Sequence, residues 1–324
     1  MKKILITGIT GQDGIFLTKQ LLINEPETEI YGTTRNANHN YFLNQLSSIG
    51  LENNYNLKLI NIDLENFDDV NNLISDIKPS TIYNLAGPSS VYGSLKLPYV
   101  EHTIINIFSN LIESLIKNNH LSYFFQASSS EMFKESKSKL NEDSDLSPNS
   151  PYAKAKLFCH EKSIELREKY DWPIISGILF NHESQFREKE FLFSKIVDSA
   201  IGISQKKTQQ LIIGSLDLER DWSFAEDIVK GLYQITNVGE SHTYVIGSGV
   251  STSIKEVVQT AFSYFDLNYE DFIEIDSKLL RKGDPQKKVA DISKIQNEIN
   301  WEPKVTVKNL IELIIESRLK HSKF

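Results

Sequence analysis

The sequence predicts a doubly wound α/β fold, a parallel sheet with helices on both faces, followed by a smaller C-terminal α/β segment. Three observations carry this. Short apolar, β-branched runs alternate with helix-patterned segments through the first half of the chain. A glycine trio, Gly8, Gly11 and Gly14, sits where the first such run meets the first helical pattern. And 324 residues suffice for one large domain or two smaller ones, each with a substantial core.

The elements follow in order. Lys3–Thr7 (KILIT) has the composition of a buried parallel strand. After the glycines come Ile15, Phe16, Leu17, Leu21 and Leu22 at helical spacing. Glycines there let the backbone turn tightly and approach a pyrophosphate at the helix N-terminus; a plain glycine turn is the competing reading. The second strand, Glu29–Thr34, ends about twenty residues past Gly14, where an NAD site places a carboxylate for the ribose. This chain has Thr34 and then Arg35. Arg35 suits a 2′-phosphate and so NADP, against the alternative of a solvated surface arginine. A third strand, Leu57–Ile60, leads to Asp63 and Leu64, a position suited to an adenine amine. Helix Phe67–Ile77 and strand Thr81–Leu85 come next, the latter ending in Ala86-Gly87, small enough to leave room for a cofactor. Helix Val100–Lys117 precedes the fifth strand, Tyr123–Ala127, which opens into Ser128-Ser129-Ser130-Glu131. Side chains beyond the carboxyl ends of such strands face the ligand crevice. Glu131, beside Met132-Phe133, reads either as a base or as a solvated loop acid.

Ser150 and Pro151 mark the start of a helix running to Tyr170. Tyr152 and Lys156 then share one face, a turn apart. An ammonium one turn behind a phenol lowers its pKa and makes an acid/base pair. Spacing alone is weak, because Tyr92 and Lys96 share it, although Gly93 and Ser94 between them make a poor helix. Trp172–Leu179 reads as a sixth strand. Helices Ser253–Phe265, Ile292–Ile299 and Val307–Arg318 close the chain, with the turn Trp301-Glu302-Pro303 between the last two.

Composition bounds the function. With 35 basic and 43 acidic residues the net charge is −8, which argues against nucleic acid or an anionic membrane as a bulk partner. The single cysteine, Cys159, excludes an internal disulfide or a Cys-based metal cluster and points to a reducing cytoplasm. The apolar run at the N-terminus is too short for a signal peptide, and no run approaches a membrane span.

The glycine trio, Arg35, the Ser129 run and Tyr152/Lys156 together resemble the extended short-chain dehydrogenase/reductase superfamily, whose Rossmann core matches the predicted sheet. Four strings narrow the likeness to the GDP-mannose 4,6-dehydratase family: T-G-I-T-G-Q-D-G at Thr7–Gly14, S-S-S-E-M-F at Ser128–Phe133, G-I-L-F-N-H-E-S at Gly177–Ser184 and G-S-L-D-L-E-R-D-W at Gly214–Trp222. The resemblance implies an NADP-binding part over 1–179, with segments near 210–235 returning to it, and a mainly nucleotide-sugar-binding part over 180–324. It implies that Gly8, Gly11, Gln12, Asp13, Gly14, Arg35, Asp63, Leu64, Leu85, Ala86, Tyr152 and Lys156 hold NADP. Tyr152 would take the sugar's 4-hydroxyl proton, Lys156 would hold the phenol's pKa down, and Ser129 would bond the same oxygen. Glu131 would remove the C5 hydrogen before water leaves from C6. Ser89, Ser130, Asn181, Lys195, Arg220 and Arg281 would line the nucleotide-sugar site, and no metal is implied. Surface salt bridges compete for Lys195 and Arg281, and a structural ion pair competes for Arg220. A homodimer or homotetramer is implied, built on the helices at Val100–Lys117 and Tyr152–Tyr170.

The departures are specific. The family's A-A-Q-S-H-V is Ala86-Gly87-Pro88-Ser89-Ser90-Val91 here, its P-R-R-G-E is Gln185-Phe186-Arg187-Glu188-Lys189, and Asn36 replaces a second arginine. Arg281–Asp291 (RKGDPQKKVAD) looks more like the sugar epimerases. Two other readings follow: a GDP-sugar C4 oxidoreductase or epimerase that leaves Glu131 idle, and a non-catalytic NADP-binding sensor.

Overall fold

The structure, a computed structural model, describes residues 1–36, 39–51, 56–97, 99–237, 242–280 and 283–321. Its centre is a seven-stranded sheet of β1 (Lys3–Thr7), β2 (Glu29–Thr34), β3 (Leu57–Asn61), β4 (Thr81–Asn84), β5 (Tyr123–Ser129), β6 (Ile174–Leu179) and β11 (Thr243–Ile246). The spatial order is β11-β6-β5-β4-β1-β2-β3, and each neighbouring pair is parallel. Winding reverses between β1 and β4, and that reversal opens a crevice at the carboxyl edge.

Strand alternation builds the two layers. Ile4 and Ile6 of β1 point into one core with Phe16, Leu17 and Leu21 of α1 (Gln12–Asn24). Leu5 points the other way, toward Val70 and Ile74 of α3 (Phe67–Ile77) and Ile107 and Leu111 of α5 (Tyr99–Lys117). All of these side chains are buried, which is why the strands read as near-continuous apolar runs. Helix α2 (Asn40–Ser48) packs on α1, and α6 (Pro151–Tyr170) lies along α5. Ser150 caps α6 by accepting from the Ala153 N–H at 3.1 Å, with Pro151 at the first turn.

Three features differ from the sequence expectation. β5 runs on to Ser129, so two of the three serines are strand residues. β11, only four residues long, was too short to register as a strand, yet it closes the sheet against β6. Val91–Lys96 forms a short helix, α4, despite Gly93, because Ser90 accepts from the Gly93 N–H and Ser94 bonds the Val91 carbonyl.

The rest of the chain comprises small sheets and further helices. β7 (Asn181–Glu183) pairs with β10 (Trp222–Phe224), β8 (Leu211–Ile213) with β13 (Ile273–Ile275), and β9 (Glu219–Arg220) lies between β12 (Thr252–Ser253) and β14 (Lys287–Lys288). Helices α7 (Leu192–Ser204), α9 (Ile254–Ser263) and α11 (Val307–His321) pack on one another. Helix α8 (Ala225–Asn237) packs on α1, and α10 (Ser293–Ile299) on α8 and β11.

A buried hydrogen-bond chain crosses the carboxyl edge. Thr7 Oγ1 donates to Asn84 Oδ1 at 2.9 Å and accepts from the Leu85 and Ala86 N–H groups at 3.1 Å. Asn84 Nδ2 donates to Gln126 Oε1, and Gln126 Nε2 to the Ala127 carbonyl, both at 2.9 Å. Removing one member strands the rest in the core, at a cost of about 1–3 kcal/mol. Asn84→Ala should therefore lower the unfolding free energy from urea titration by that amount, seen as a lower midpoint at an unchanged slope. An unchanged midpoint would show that the chain contributes nothing to stability.

Candidate active site

The crevice widens into a cavity of about 460 Å³. On its wall stand Asp13, Leu85, Ser89, Ser129, Ser130, Glu131, Tyr152, Lys156, Asn181, Lys195 and Arg220, gathered from both halves of the chain.

The first loop is shaped for close approach. Gly8 has φ +67°, and a Cβ there would lie 2.8 Å from Ala86 Cα. At Gly14 a Cβ would meet the Ile9 carbonyl oxygen at 2.4 Å, so only glycine lets α1 start against the backbone of the loop after β1. Gly11 stands at the N-cap of α1 with no side chain capping it, which leaves first-turn N–H groups facing the crevice. Asp13 Oδ1 is a buried carboxylate oxygen on the cavity wall that no donor among the described residues reaches. These features fit a dinucleotide: amides for the pyrophosphate and an acceptor for a ribose hydroxyl. Gln12 turns away from it, its Nε2 donating to the His182 carbonyl and its Oε1 accepting from Ser184 Oγ, both at 2.9 Å.

Arg35 and Asp63 are exposed and share a shallow surface depression with Asp69 and Asp76, apart from the main cavity. Asp63 Oδ1 accepts from the Glu65 N–H at 3.0 Å, and Leu64 is buried with its carbonyl accepting from Asn110. Ala86 lies at the turn that Thr7 holds. Arg281 lies outside the described residues.

Tyr152 and Lys156 are both 8% exposed on α6. Lys156 Nζ donates to the Ala127 carbonyl at 2.9 Å and sits 5.7 Å from the Tyr152 ring centroid. The Tyr92/Lys96 pair has the same spacing, but Tyr92 is half exposed and its lysine lies over the ring at 4.3 Å. Ser129 Oγ accepts from the Glu131 N–H at 3.2 Å, turning the chain so that Glu131 follows the strand end directly. Ser130 is buried beneath.

Sequence reasoning missed Lys288. Its buried ammonium donates to Glu131 Oε1 at 2.9 Å. Its one trace in the sequence was the departure of the RKGDPQKKVAD stretch from the family pattern. Arg220 is 6% exposed, with Nη1 bonded to the Glu219 and Pro285 carbonyls and Nη2 to Asp284 Oδ1 at 2.7 Å. The ion pair weighed from the sequence is therefore present, and Arg220 joins the cavity wall as part of it. Lys195 Nζ donates to the Ile212 carbonyl at 2.7 Å. Asn181 opens β7.

His182 ties the two halves together. Its Nε2 lies 3.1 Å from Asp13 Oδ2 and its Nδ1 2.6 Å from the Phe180 carbonyl. Burial pushes the imidazole down, but the Asp13 carboxylate outweighs burial and holds His182 above its ordinary value. Burial pushes Asp13 up, and His182, Arg187 and Lys156 together hold it below its ordinary value.

A family model described as GDP-mannose 4,6 dehydratase matches residues 5–314. GDP-mannose 4,6 dehydratase 1 of Arabidopsis thaliana is 32% identical over 328 residues, covering 98% of this chain and 90% of the relative. GDP-mannose 4,6-dehydratase of Vibrio cholerae is 28% identical, covering 99% and 94%. Among solved structures, dTDP-glucose 4,6-dehydratase from Bacillus anthracis in complex with NAD superposes with a TM-score of 0.84 at 21% identity, covering 100% of this chain and 98% of that one. RMD from Pseudomonas aeruginosa complexed with NADPH does so at 0.80 and 18%, covering 98% and 99%. These two show the shared fold.

The Asp13–His182 pair carries a pH signature. A histidine raised above 6.5 stabilises the fold fully below that pH and loses its contribution as pH climbs through its folded value. A carboxyl held below 3.8 stabilises fully above that pH and loses its contribution as pH falls through its folded value. The contribution is complete between pH 3.8 and 6.5. In a thermal-unfolding cycle of Asp13→Asn, His182→Gln and the double variant, coupling should be larger at about pH 5.5 than at about pH 9. Equal coupling at both would refute the ion pair.

Proposed function

The chain belongs to the GDP-mannose 4,6-dehydratase family, and from that premise we propose that it converts GDP-mannose, or a close GDP-sugar such as a GDP-heptose, to the 4-keto-6-deoxy derivative. The observation that carries this is the convergence of Ser129, Glu131, Tyr152 and Lys156 on one cavity. When bound, NADP would accept the C4 hydride and later return it to C6. Tyr152 would remove the 4-hydroxyl proton. Lys156, anchored on the Ala127 carbonyl, would stabilise the phenolate and reach a ribose hydroxyl. Ser129 Oγ would bond the sugar oxygen that becomes the ketone. The ketone acidifies C5–H, and Glu131 would take that proton and deliver it to the C6 oxygen, which leaves as water. Glu131 would then recover a proton from solvent and supply it to C5.

NADP rather than NAD is part of the proposal. Arg35 supports it from the end of β2, where a guanidinium can grip a 2′-phosphate. Asp63, Asp69 and Asp76 in the same depression oppose it, so the preference should be modest. Arg35→Ala should weaken NADP about 10–100-fold, the worth of a charged hydrogen bond, and leave NAD nearly unchanged. Equal losses for both cofactors in calorimetry would remove Arg35 from the site.

The reaction is tested by mass spectrometry of GDP-mannose incubated with the protein and NADP⁺. The expected product is lighter by one water and, in D₂O, carries deuterium at C5. Tyr152→Phe and Glu131→Gln should each lower its formation by ~10²–10⁴. Unchanged turnover in Glu131→Gln would sink the dehydratase reading and leave C4 chemistry alone. No product from a panel of GDP-sugars would leave only cofactor binding.

A further inference from the structure

We propose that Lys288 is a positioning residue for the elimination step, holding Glu131 ionised and aimed at the sugar. This rests on the dehydratase reading above.

The two lysines of β14 show why. Strand alternation sends neighbouring side chains to opposite faces. Lys287 points outward and pairs with Glu219 at 2.9 Å, both partners well exposed. Lys288 points inward; its side chain is 4% exposed and reaches Glu131, which is 13% exposed, at 2.9 Å. A surface pair such as the first contributes little. The second buries an ammonium, which costs much unless a carboxylate meets it. Its backbone is pinned as well: β14 pairs with β9, the Lys288 carbonyl accepts from the Asp221 N–H at 3.0 Å, and the Ala290 N–H donates to Asp221 Oδ2 at 3.1 Å. The ammonium is thus delivered from a rigid element 157 residues away in sequence.

A base at C5 must be unprotonated when the ketone forms, yet it sits in a half-enclosed, partly apolar cavity that favours the neutral acid. An ammonium in contact reverses that preference. Other charged groups on this cavity wall meet partners elsewhere: Asp13 bonds His182, Arg187 pairs with Glu183, and Arg220 bonds Asp284. Lys156 and Lys195 donate to the Ala127 and Ile212 carbonyls, and Tyr152 and Glu190 line the wall as well. Glu135, just beyond the strand end, accepts from the Gln286 N–H. Lys288 bonds the Glu131 carboxylate directly, at 2.9 Å.

The test isolates Glu131 from hydride transfer. GDP-4-keto-6-deoxymannose is incubated in D₂O with the protein and its bound cofactor, and C5 deuteration is followed by NMR across pH. For the native protein, exchange should fall at acid pH as Glu131 protonates. Lys288→Met, and Lys288→Gln should the first not fold, should move that acid limb up by about one pH unit or more, with roughly tenfold slower exchange per unit on the limb. Lys288→Arg, which keeps the charge, should return the limb to its native position even if the rate stays lower. A purely structural lysine would change stability and leave the limb where it was. A limb unmoved in folded Lys288→Met or Lys288→Gln overturns the inference alone. Absence of both dehydration and C5 exchange in the native protein overturns the dehydratase reading, and this inference with it.

Discussion

The site depends on a single line of buried hydrogen bonds, from Thr7 through Asn84 and Gln126 to the Ala127 carbonyl, where Lys156 ends it. Each member is both anchored and anchoring. Thr7 draws in the Leu85 and Ala86 amides, which fixes the turn that Gly8 approaches. The Ala127 carbonyl accepts from both Gln126 and Lys156, so its two lone pairs are filled and the ammonium has one position. In a low-dielectric interior such a chain is either satisfied throughout or costly throughout. The glycine loop and the helix that carries Tyr152 and Lys156 are therefore held by one device.

A second set of contacts joins the C-terminal elements to that frame. Gln12 and Asp13 bond to the stretch around His182, and Lys288 bonds to Glu131. The first couples the start of α1, and the second the turn after β5, to residues far along the chain. The cavity is consequently a property of the whole fold: its floor belongs to the sheet edge, and its charge balance is completed by β7 and β14.

The loops that depart from the family pattern have distinct roles here. After β4, Ser90 caps the short helix α4 and Ser89 stands on the cavity wall. Asp284 locks Arg220 against the Pro285 carbonyl, which shapes the wall opposite the sheet and limits how far that guanidinium can reach. Both stretches contribute to the cavity wall. Neither touches Tyr152, Lys156 or the Ser129–Glu131 turn.

Much was legible in the chain alone, for a local reason. The strand–helix alternation, the glycine loop, the Ser150-Pro151 start of α6 and the shared face of Tyr152 and Lys156 each depend on residues within a turn or two of one another. Such features are written in spacing, and the fold class followed from them. Contacts between distant segments were not legible. Nothing near Lys288 distinguishes it from Lys287; only the pairing of β14 with β9 turns one inward to Glu131 and the other outward to Glu219. The same holds for Arg220, whose choice between a ligand and Asp284 depends on a loop 64 residues on, and for β11, whose four residues become a strand only because the edge of β6 needs hydrogen bonds. The sequence by itself determined the sheet, the glycine loop and the helix that pairs Tyr152 with Lys156, because local spacing encodes them. Tertiary structure decided which charges meet in the cavity, because burial and pairing exist only once distant strands are brought together.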